Sequence, residues 1–428
     1  MSKKFIKEEV VIIITILIFC ILPSMGFSIE NECLSQINGD WIIKNETVCS
    51  NMEIILTGNL KIENNSLTLK NVILKINSSY NGQFFIGVYK NGLLYVENST
   101  ISAVNHNKKY NFWYYPESYG AINYSVIEDL SGPRIHHKDL EKYCPPTEDC
   151  NSSEGLFIGA DNFIIEDSII QNSNRHGLNI RAKNVTIRNN IIRNNFCENI
   201  NVEGNERIFL NGKIHNNEIY GSSDCNGINL AYGEFEIYNN SVHDNEFNGI
   251  ESAFSNVTIY DNIFENNGDN GVNNRHNSST VVYRNTIKNN AHNGIFLDWN
   301  LKNQIHIFNN YIVNNSISGI TVYSTSNVMI ENNTIKENWI GIKVANIHSF
   351  FGEILIPNST KNVTVRSNKF IDNKFLTDIK GDTEVFMTDN IIEERNNYQV
   401  IWIFIIISTI LLFLKRDKIV KILVYSNK

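Results

Sequence analysis

One short phrase returns about every 23 residues along this chain, and that spacing excludes most folds before composition is consulted. The marker positions are Ser168, Asn190, Asn217, Asn240, Asn262, Asn285, Asn310, Asn333, Asn368 and Asn390, each followed two residues later by Ile, Val or Phe. Their intervals are 22, 27, 23, 22, 23, 25, 23, 35 and 22 residues, a fixed period with two insertions. A second mark follows each of the first eight: Gly177-Leu, Asn199-Ile, Gly227-Ile, Gly249-Ile, Gly271-Val, Gly294-Ile, Gly319-Ile and Gly341-Ile. Between marks the apolar residues alternate with polar ones, and no stretch keeps a helical period long enough to fill the interval.

Short alternating segments joined by Asn or Gly corners close into a coil. When such coils stack, each strand lies parallel to its equivalent one turn away, about 4.8 Å off, and each inward Ile or Val meets its counterpart. The 69 asparagines suit this arrangement. Asn tolerates left-handed backbone at corners, and its amide both donates and accepts, so identical residues can form a hydrogen-bonded ladder. A leucine-rich repeat shares the period but needs Leu at fixed sites and usually one strand per repeat. Ile and Val dominate here, so the expected fold is all-β, a single parallel β-helix solenoid with coils of about 23 residues.

The pattern resembles the right-handed parallel β-helix repeat proteins, a group with carbohydrate-binding and sugar-hydrolase members and archaeal-type surface proteins. The resemblance covers roughly residues 55 to 395. It implies a right-handed coil and says little about activity, because the group mixes lyases, hydrolases, epimerases and adhesins. The expected body runs over residues 53–397, with a cap at 29–52 protecting the first open strand edges. Residues 105–154 depart from the period and read as a lateral excursion, in which the aromatic run Tyr110, Phe112, Trp113, Tyr114 and Tyr115 either stacks on sugar rings or packs against the coil flank.

The two ends place the body outside a membrane. Lys3, Lys4 and Lys7 precede the uncharged run Val10 to Leu22, and Ser24, Gly26 and Ser28 follow it, the layout of a signal peptide over residues 1–28 or of an uncleaved anchor. Residues 398–414 form a second uncharged run, long enough at 1.5 Å per residue for about 25 Å of transmembrane helix. Lys415, Arg416, Lys418 and Lys421 follow at once, so the positive-inside rule makes 415–428 a cytoplasmic tail of a single-pass cell-membrane protein. Fourteen Asn-x-Ser/Thr sequons permit glycosylation. The net charge of −8 excludes a generally basic nucleic-acid binder.

Cys20 falls in the leader and leaves six cysteines, an even number in an exported segment. Cys197 lies two residues before Asn199 and Cys225 two before Gly227, the same site in adjacent coils, so one coil rise brings them within disulfide range. The expected pairs are Cys197 with Cys225, Cys144 with Cys150, and Cys33 with Cys49. No metal site is expected: no Cys-x-x-Cys pair occurs, and His136-His137 lacks a third ligand at meaningful spacing. No cofactor is expected either.

Alternation from the Gly-Ile mark gives one outward stripe of Asn179, Asn201, Asn229, Glu251, Asn273 and Phe296, and a second of Arg181, Glu203, Ala231, Ala253, Arg275 and Asp298. His176, Trp299 and His276 should stand beside them. Carboxylates serve acid/base chemistry and Arg or His holds acidic sugars, so Glu251, Asp298, Arg275 and His176 are the candidate catalytic residues. Asn179, Asn201, Asn229, Asn273 and Trp299 are the candidate ligand contacts. Arg175-His176-Gly177 resembles the His-Gly element of some polyuronate epimerases and related lyases; the other acidic motifs of that group are not found. The leading expectation is a membrane-anchored, non-enzymatic surface protein with a structural or glycan-interaction role. The alternative is a polysaccharide lyase, hydrolase or epimerase working on the Asn179 to Asp298 face.

Overall fold

The computed structural model describes residues 33–131, 155–300, 303–346, 360–381 and 383–394. Within them every regular element is a β-strand. The strands stack as a right-handed parallel β-solenoid of about 14 turns, in a 14-stranded sheet and a 27-stranded sheet. Most coils give one strand to the first and two to the second. At about 4.8 Å per rung, fourteen rungs make a rod about 60–65 Å long.

Like residues meet along the stack. Ile237, Ile259, Val282, Ile307, Ile330 and Val365 are Cα partners in consecutive coils of one inward column. Ile219, Val242, Phe264, Ile287, Ile312, Ile335 and Phe370 form another. All are buried. Each such side chain contributes roughly 1.5–3 kcal/mol of transfer free energy, which explains why a period-2 alternation holds its register: a slip of one residue would turn the whole column out to solvent.

The marker asparagines form the ladder expected of them. Asn285 donates its backbone N–H and its side-chain amide to Asn310 Oδ1 (3.0 Å each) and also donates to the Ile259 carbonyl at 2.9 Å. The same bonds recur from Asn190 to Asn390. A second buried ladder runs through Asn245, Asn267, Asn290, Asn315 and Asn338. The structure divides two roles that the sequence suggests for one residue. The laddered Asn is buried, whereas the left-handed backbone belongs to the residue before it: Asn189, Asn216, Asn239, Asp261, Arg284, Asn309 and Asn332 all have φ between 53° and 59°. Glycine at the second mark has a different cause. A Cβ on Gly271 would lie 2.5 Å from Ile287 Cγ2 and 2.9 Å from the Gly294 carbonyl, so the row of glycines answers close approach between coils.

Two of the expected disulfides form: Cys197–Cys225, at equivalent sites of adjacent coils as the register requires, with Cα atoms 4.7 Å apart, and Cys33–Cys49 at 5.7 Å. Cys144 and Cys150 lie outside the described residues, as do His136 and His137. The aromatic run corrects the expected excursion. Asn111–Tyr114 is a strand of the 14-stranded sheet, paired in register with Phe85–Val88 and Leu156–Ile158. Tyr110, Phe112 and Tyr114 point into the core, and Trp113 packs with Phe85, Tyr89 and Tyr115 on the other face. Their alternation is the strand period itself, masked in sequence because both faces carry aromatics. Strands Tyr119–Asn123 and Val126–Glu128 continue the coil within the expected excursion, whose remainder, 132–154, lies outside the described residues. At the N-terminal end, Gln36–Asn38, Trp41–Ile43 and Thr47–Thr57 are already rungs paired with the next coil, within the segment expected as a separate cap. The leader and the expected anchor lie outside the described residues, and among the described residues no helix is long and apolar enough to cross a membrane.

Candidate functional site

The outer face of the 14-stranded sheet carries both stripes in the expected register. Asn179, Asn201, Asn229, Glu251, Asn273 and Phe296 are successive Cα partners. So are Glu203, Ala231, Ala253, Arg275 and Asp298 in the neighbouring row, and Arg181 reaches Glu203 at 2.7 Å. Exposure differs from expectation. Asn179, Asn201 and Asn273 are 0%, 2% and 5% exposed, although alternation puts them on the outer face. One cause is the column itself: Asn201 donates to Asn179 at 3.4 Å and Asn229 donates to Asn201 at 2.9 Å, so neighbouring amides close over one another.

Glu251 is the hub of the face. Its Oε2 accepts from Asn248 and Asn273, both at 3.0 Å, and its Oε1 lies 3.4 Å from an Arg275 guanidinium nitrogen. Burial raises the Glu251 carboxyl above the usual range, and Arg275 and Asn273 offset only part of that rise. Asp298 lies one rung past Arg275 in the same row. Burial pushes its carboxyl up to about 6, against the opposing charge of Arg275 and a hydrogen bond from the Trp299 backbone. Three polar atoms here, Asn273 Oδ1, Arg275 Nε and Asp298 Oδ1, are buried without a hydrogen-bond partner among the described residues. Buried polar atoms are nearly always paired, so three together on adjoining rungs mark a place built for something other than stability.

The raised Asp298 carboxyl makes a stability prediction. Because folding favours its protonated form, its contribution is fully present below about pH 4 and is lost as pH rises through about 6. At 1.36 kcal/mol per unit, the rise from the ordinary 3.8 to about 6 leaves the native chain up to about 3 kcal/mol less stable at pH 7.5 than at pH 4 from this group alone. Asp298→Asn is expected to remove that slope. Urea melts of both proteins across this range check it, and parallel pH profiles would refute the assignment.

Sequence reasoning missed two features of this site. First, the inward column behind it runs Ile180, Val202, Leu230, Ser252, Asn274, Leu297 and Val322. The core turns polar at the two rungs that carry Glu251 and Arg275, where Asn274 donates to Ser252 at 3.1 Å and also contacts Thr280. The signal was present: Ile-x-Leu becomes Ile250-Glu-Ser252 and Val272-Asn-Asn274. Second, the corner that follows the charged row carries Tyr232, Phe254, His276 and Trp299 at φ between 52° and 55°. At the corner before the marker ladder the left-handed residue is mostly Asn or Asp; here it is aromatic four times in succession. Left-handed backbone costs a bulky residue on the order of 1 kcal/mol. The rings form one rail beside the charged row. Tyr232 stacks on Phe254 at 4.8 Å and Phe254 on His276 at 5.3 Å, while Trp299 turns to 85° against His276 at 5.9 Å.

The four candidate catalytic residues do not converge. Glu251, Arg275 and Asp298 occupy three successive coils, but His176 lies three coils before Glu251 and five before Asp298, about 14 and 24 Å along the rod. His176 instead approaches Glu198 at 2.8 Å on the opposite corner of the sheet. Cys197 also lies within ligand distance of that pair, but its sulfur is bonded to Cys225 and is no thiolate ligand. A second group with ligand spacing is His106, Glu128 and Asp129, whose donor atoms lie within 4.8 Å of one another. It lines a pocket of about 540 Å³ together with Asn81, Lys109, Asn172 and Asn174. His106 Nδ1 is 2.6 Å from Asp129 Oδ2, a hydrogen-bond distance. Burial lowers the Lys109 ammonium despite Asp129, so a cation of the chain already shares this pocket. Sequence inspection had no reason to join these groups, since His106 and Asp129 are 23 residues apart and meet only when coils stack.

A family model for the right-handed β-helix region matches residues 199–349, the segment that includes Glu251, Arg275 and Asp298. Among solved structures, a point mutant of the periplasmic alginate epimerase AlgG superposes with a TM-score of 0.51 at 14% identity, over 81% of this chain and 78% of its own. The mannuronan C-5 epimerase AlgE4 A-module of Azotobacter vinelandii gives 0.41 at 14% identity, over 82% and 87%. The catalytic unit of a GH87 alpha-1,3-glucanase from Streptomyces thermodiastaticus strain HF3-3 gives 0.41 at 14% identity, over 80% and 62%. At these identities the likeness is one of fold. No curated protein is significantly similar to the sequence.

Proposed function

We propose that this chain is a membrane-anchored, extracytoplasmic β-helix protein that binds a polysaccharide along the outer face of its 14-stranded sheet. The carrying observation is the group of buried, unpartnered atoms on Asn273, Arg275 and Asp298 beside Glu251. A chain of sugars matches the site in two respects. Its hydroxyl groups both donate and accept, as the mixed set of amide, guanidinium and carboxylate requires. Its apolar ring faces suit the side of an aromatic, and Trp299, 45% exposed, is turned out of the rail. Arg275 favours an acidic sugar, because a guanidinium pairs with a carboxylate. The fold is also that of an alginate epimerase. A glycan array with the full chain tests the reading. Trp299→Ala is expected to weaken the best ligand about tenfold or more, the effect of losing one anchoring aromatic. Absence of any glycan signal, or an unchanged affinity in that variant, would refute it.

A second reading, turnover of the bound polysaccharide, is favoured by one observation: burial raises both carboxyls, Asp298 to about 6. A carboxyl raised toward neutrality suits general acid or base work, which lyase, hydrolase and epimerase chemistry all use. The two side chains stand two rungs apart, about 10 Å along the rod, with Arg275 between them. Product release abolished by Glu251→Gln or Asp298→Asn, with an acid limb near pH 6, would establish the enzyme. Binding without product in the native chain would dismiss it.

A further inference from the structure

The two ends of the rod are finished differently. At the N-terminal end Trp41 and Ile43 are 6% and 2% exposed, and the Cys33–Cys49 disulfide ties the first described residues to the coil beneath them. At the C-terminal end the core columns stop in the open. Ile330 and Val365 lead to Met387, Ile335 and Phe370 lead to Ile392, and Val344 leads to Ile379. The members one coil earlier are at most 1% exposed, while Met387, Ile392 and Ile379 are 36%, 56% and 44% exposed. Phe375, Phe386 and Ile391 add three more half-exposed apolar side chains to the same end. Among the described residues, the strands that carry them, Phe375–Lys380, Val385–Thr388 and Ile391–Glu393, are paired on one side only.

We infer that this open end is seated on the interface of the lipid bilayer, so that the membrane itself caps the solenoid. The inference rests on the anchoring proposed above and adds what the anchor does to the rod. Only residues 394–397 separate the last strand from the uncharged run that begins at Tyr398. Five extended steps reach at most about 18 Å, so the end cannot leave the bilayer surface by more than a few coil rises. The interface supplies both things the end lacks: apolar contact for Phe386, Ile391 and Ile392, and water and headgroup oxygens for the free strand edges. Deeper immersion is opposed, because open edges in hydrocarbon cost several kcal/mol per unpaired group. A second copy docked end to end is the competing occupant, but it would direct the two anchors toward opposite sides of the contact, where they could not enter one membrane. The charged residues here are mixed, with Lys369 paired to Glu393 and Lys380 to Asp378, so the attachment is apolar and does not depend on anionic lipid.

A photoreactive benzoylphenylalanine placed at Phe386 or at Ile391 of the full chain, in phosphatidylcholine vesicles, tests this. Trp402 is the control position for the anchor, and Tyr124, 63% exposed and many coils away, is the control for chance contact. Phospholipid adducts are expected at 386, 391 and 402 and not at 124, with the same yields in high salt. Lipid adducts at 402 without any at 386 and 391 would overturn the seat and leave the anchor standing. No lipid adduct at 402 would overturn both. Adducts between two protein chains at 386 would assign the end to a second copy and overturn the inference.

Discussion

Asn285→Ala is expected to lower the stability of the rod by about 3–5 kcal/mol, more than any single core methyl deletion, although the residue touches no ligand. Its Oδ1 accepts from the Asn262 backbone N–H at 2.9 Å and from the Asn262 amide at 3.0 Å, and its own amide donates to the Ile259 carbonyl at 2.9 Å. Alanine strands those groups in a buried layer, where each orphaned partner costs roughly 1–3 kcal/mol. Aspartate separates hydrogen bonding from volume. It restores an acceptor for Asn262 but aims it at the carbonyls of Ile259 and Tyr283 and at Asn310 Oδ1, all acceptors themselves. Asn285→Asp should therefore be no better than alanine at pH 7 and should recover on acidification, when its carboxyl can donate. Urea midpoints give the total, and amide exchange locates it, since a solenoid can open locally around one rung. Alanine within 1 kcal/mol of the native chain would show that the ladder is ornamental.

Removing both sulfurs with Cys197→Ala and Cys225→Ala is expected to cost about 3–4 kcal/mol. The bond closes a 28-residue separation, and closure entropy for a loop of that length gives this magnitude. The location gives it consequence. The intervening residues hold the longest interval between Asn190 and Asn310, together with Asn201 and Glu203 of the candidate face. Loss of the bond should loosen this insertion before the regular coils below it. Limited proteolysis between residues 203 and 210, set beside a urea melt, reads both. Equal melts and unchanged cleavage would mean that strand pairing alone fixes the segment.

Residues that repeat were legible; residues that merely meet were not. The ladder, the Gly-Ile row, the Cys197 and Cys225 contact and the order of both stripes followed from a single period, because every coil restates the same register and an error in one would contradict its neighbours. The run Tyr110 to Tyr115 was misread because aromatics on both faces hide a two-residue alternation. Burial of Asn179 and Asn201 could not be seen either, since a stripe position says which way a side chain points and nothing about what closes over it. Tyr232 and Phe254 carried no signal as isolated aromatics, and they became a rail only when coils of 22, 22 and 23 residues brought equivalent corners together. His106, Glu128 and Asp129 became neighbours in the same way.

The sequence alone determined the solenoid and its phase: with isoleucine and valine on every second position and asparagine at each turn, only one stacking buries the first and pairs the second. The tertiary structure decided where that regularity is broken to a purpose. Polar Ser252 and Asn274 replace apolar core behind Glu251 and Arg275, Asp298 keeps an unpartnered carboxylate oxygen, and the last coil leaves Ile392 uncovered. Such departures depend on distances across coils, on solvent access and on the end of the stack. Those quantities exist only once the whole chain is wound, which is why local alternation could not announce them.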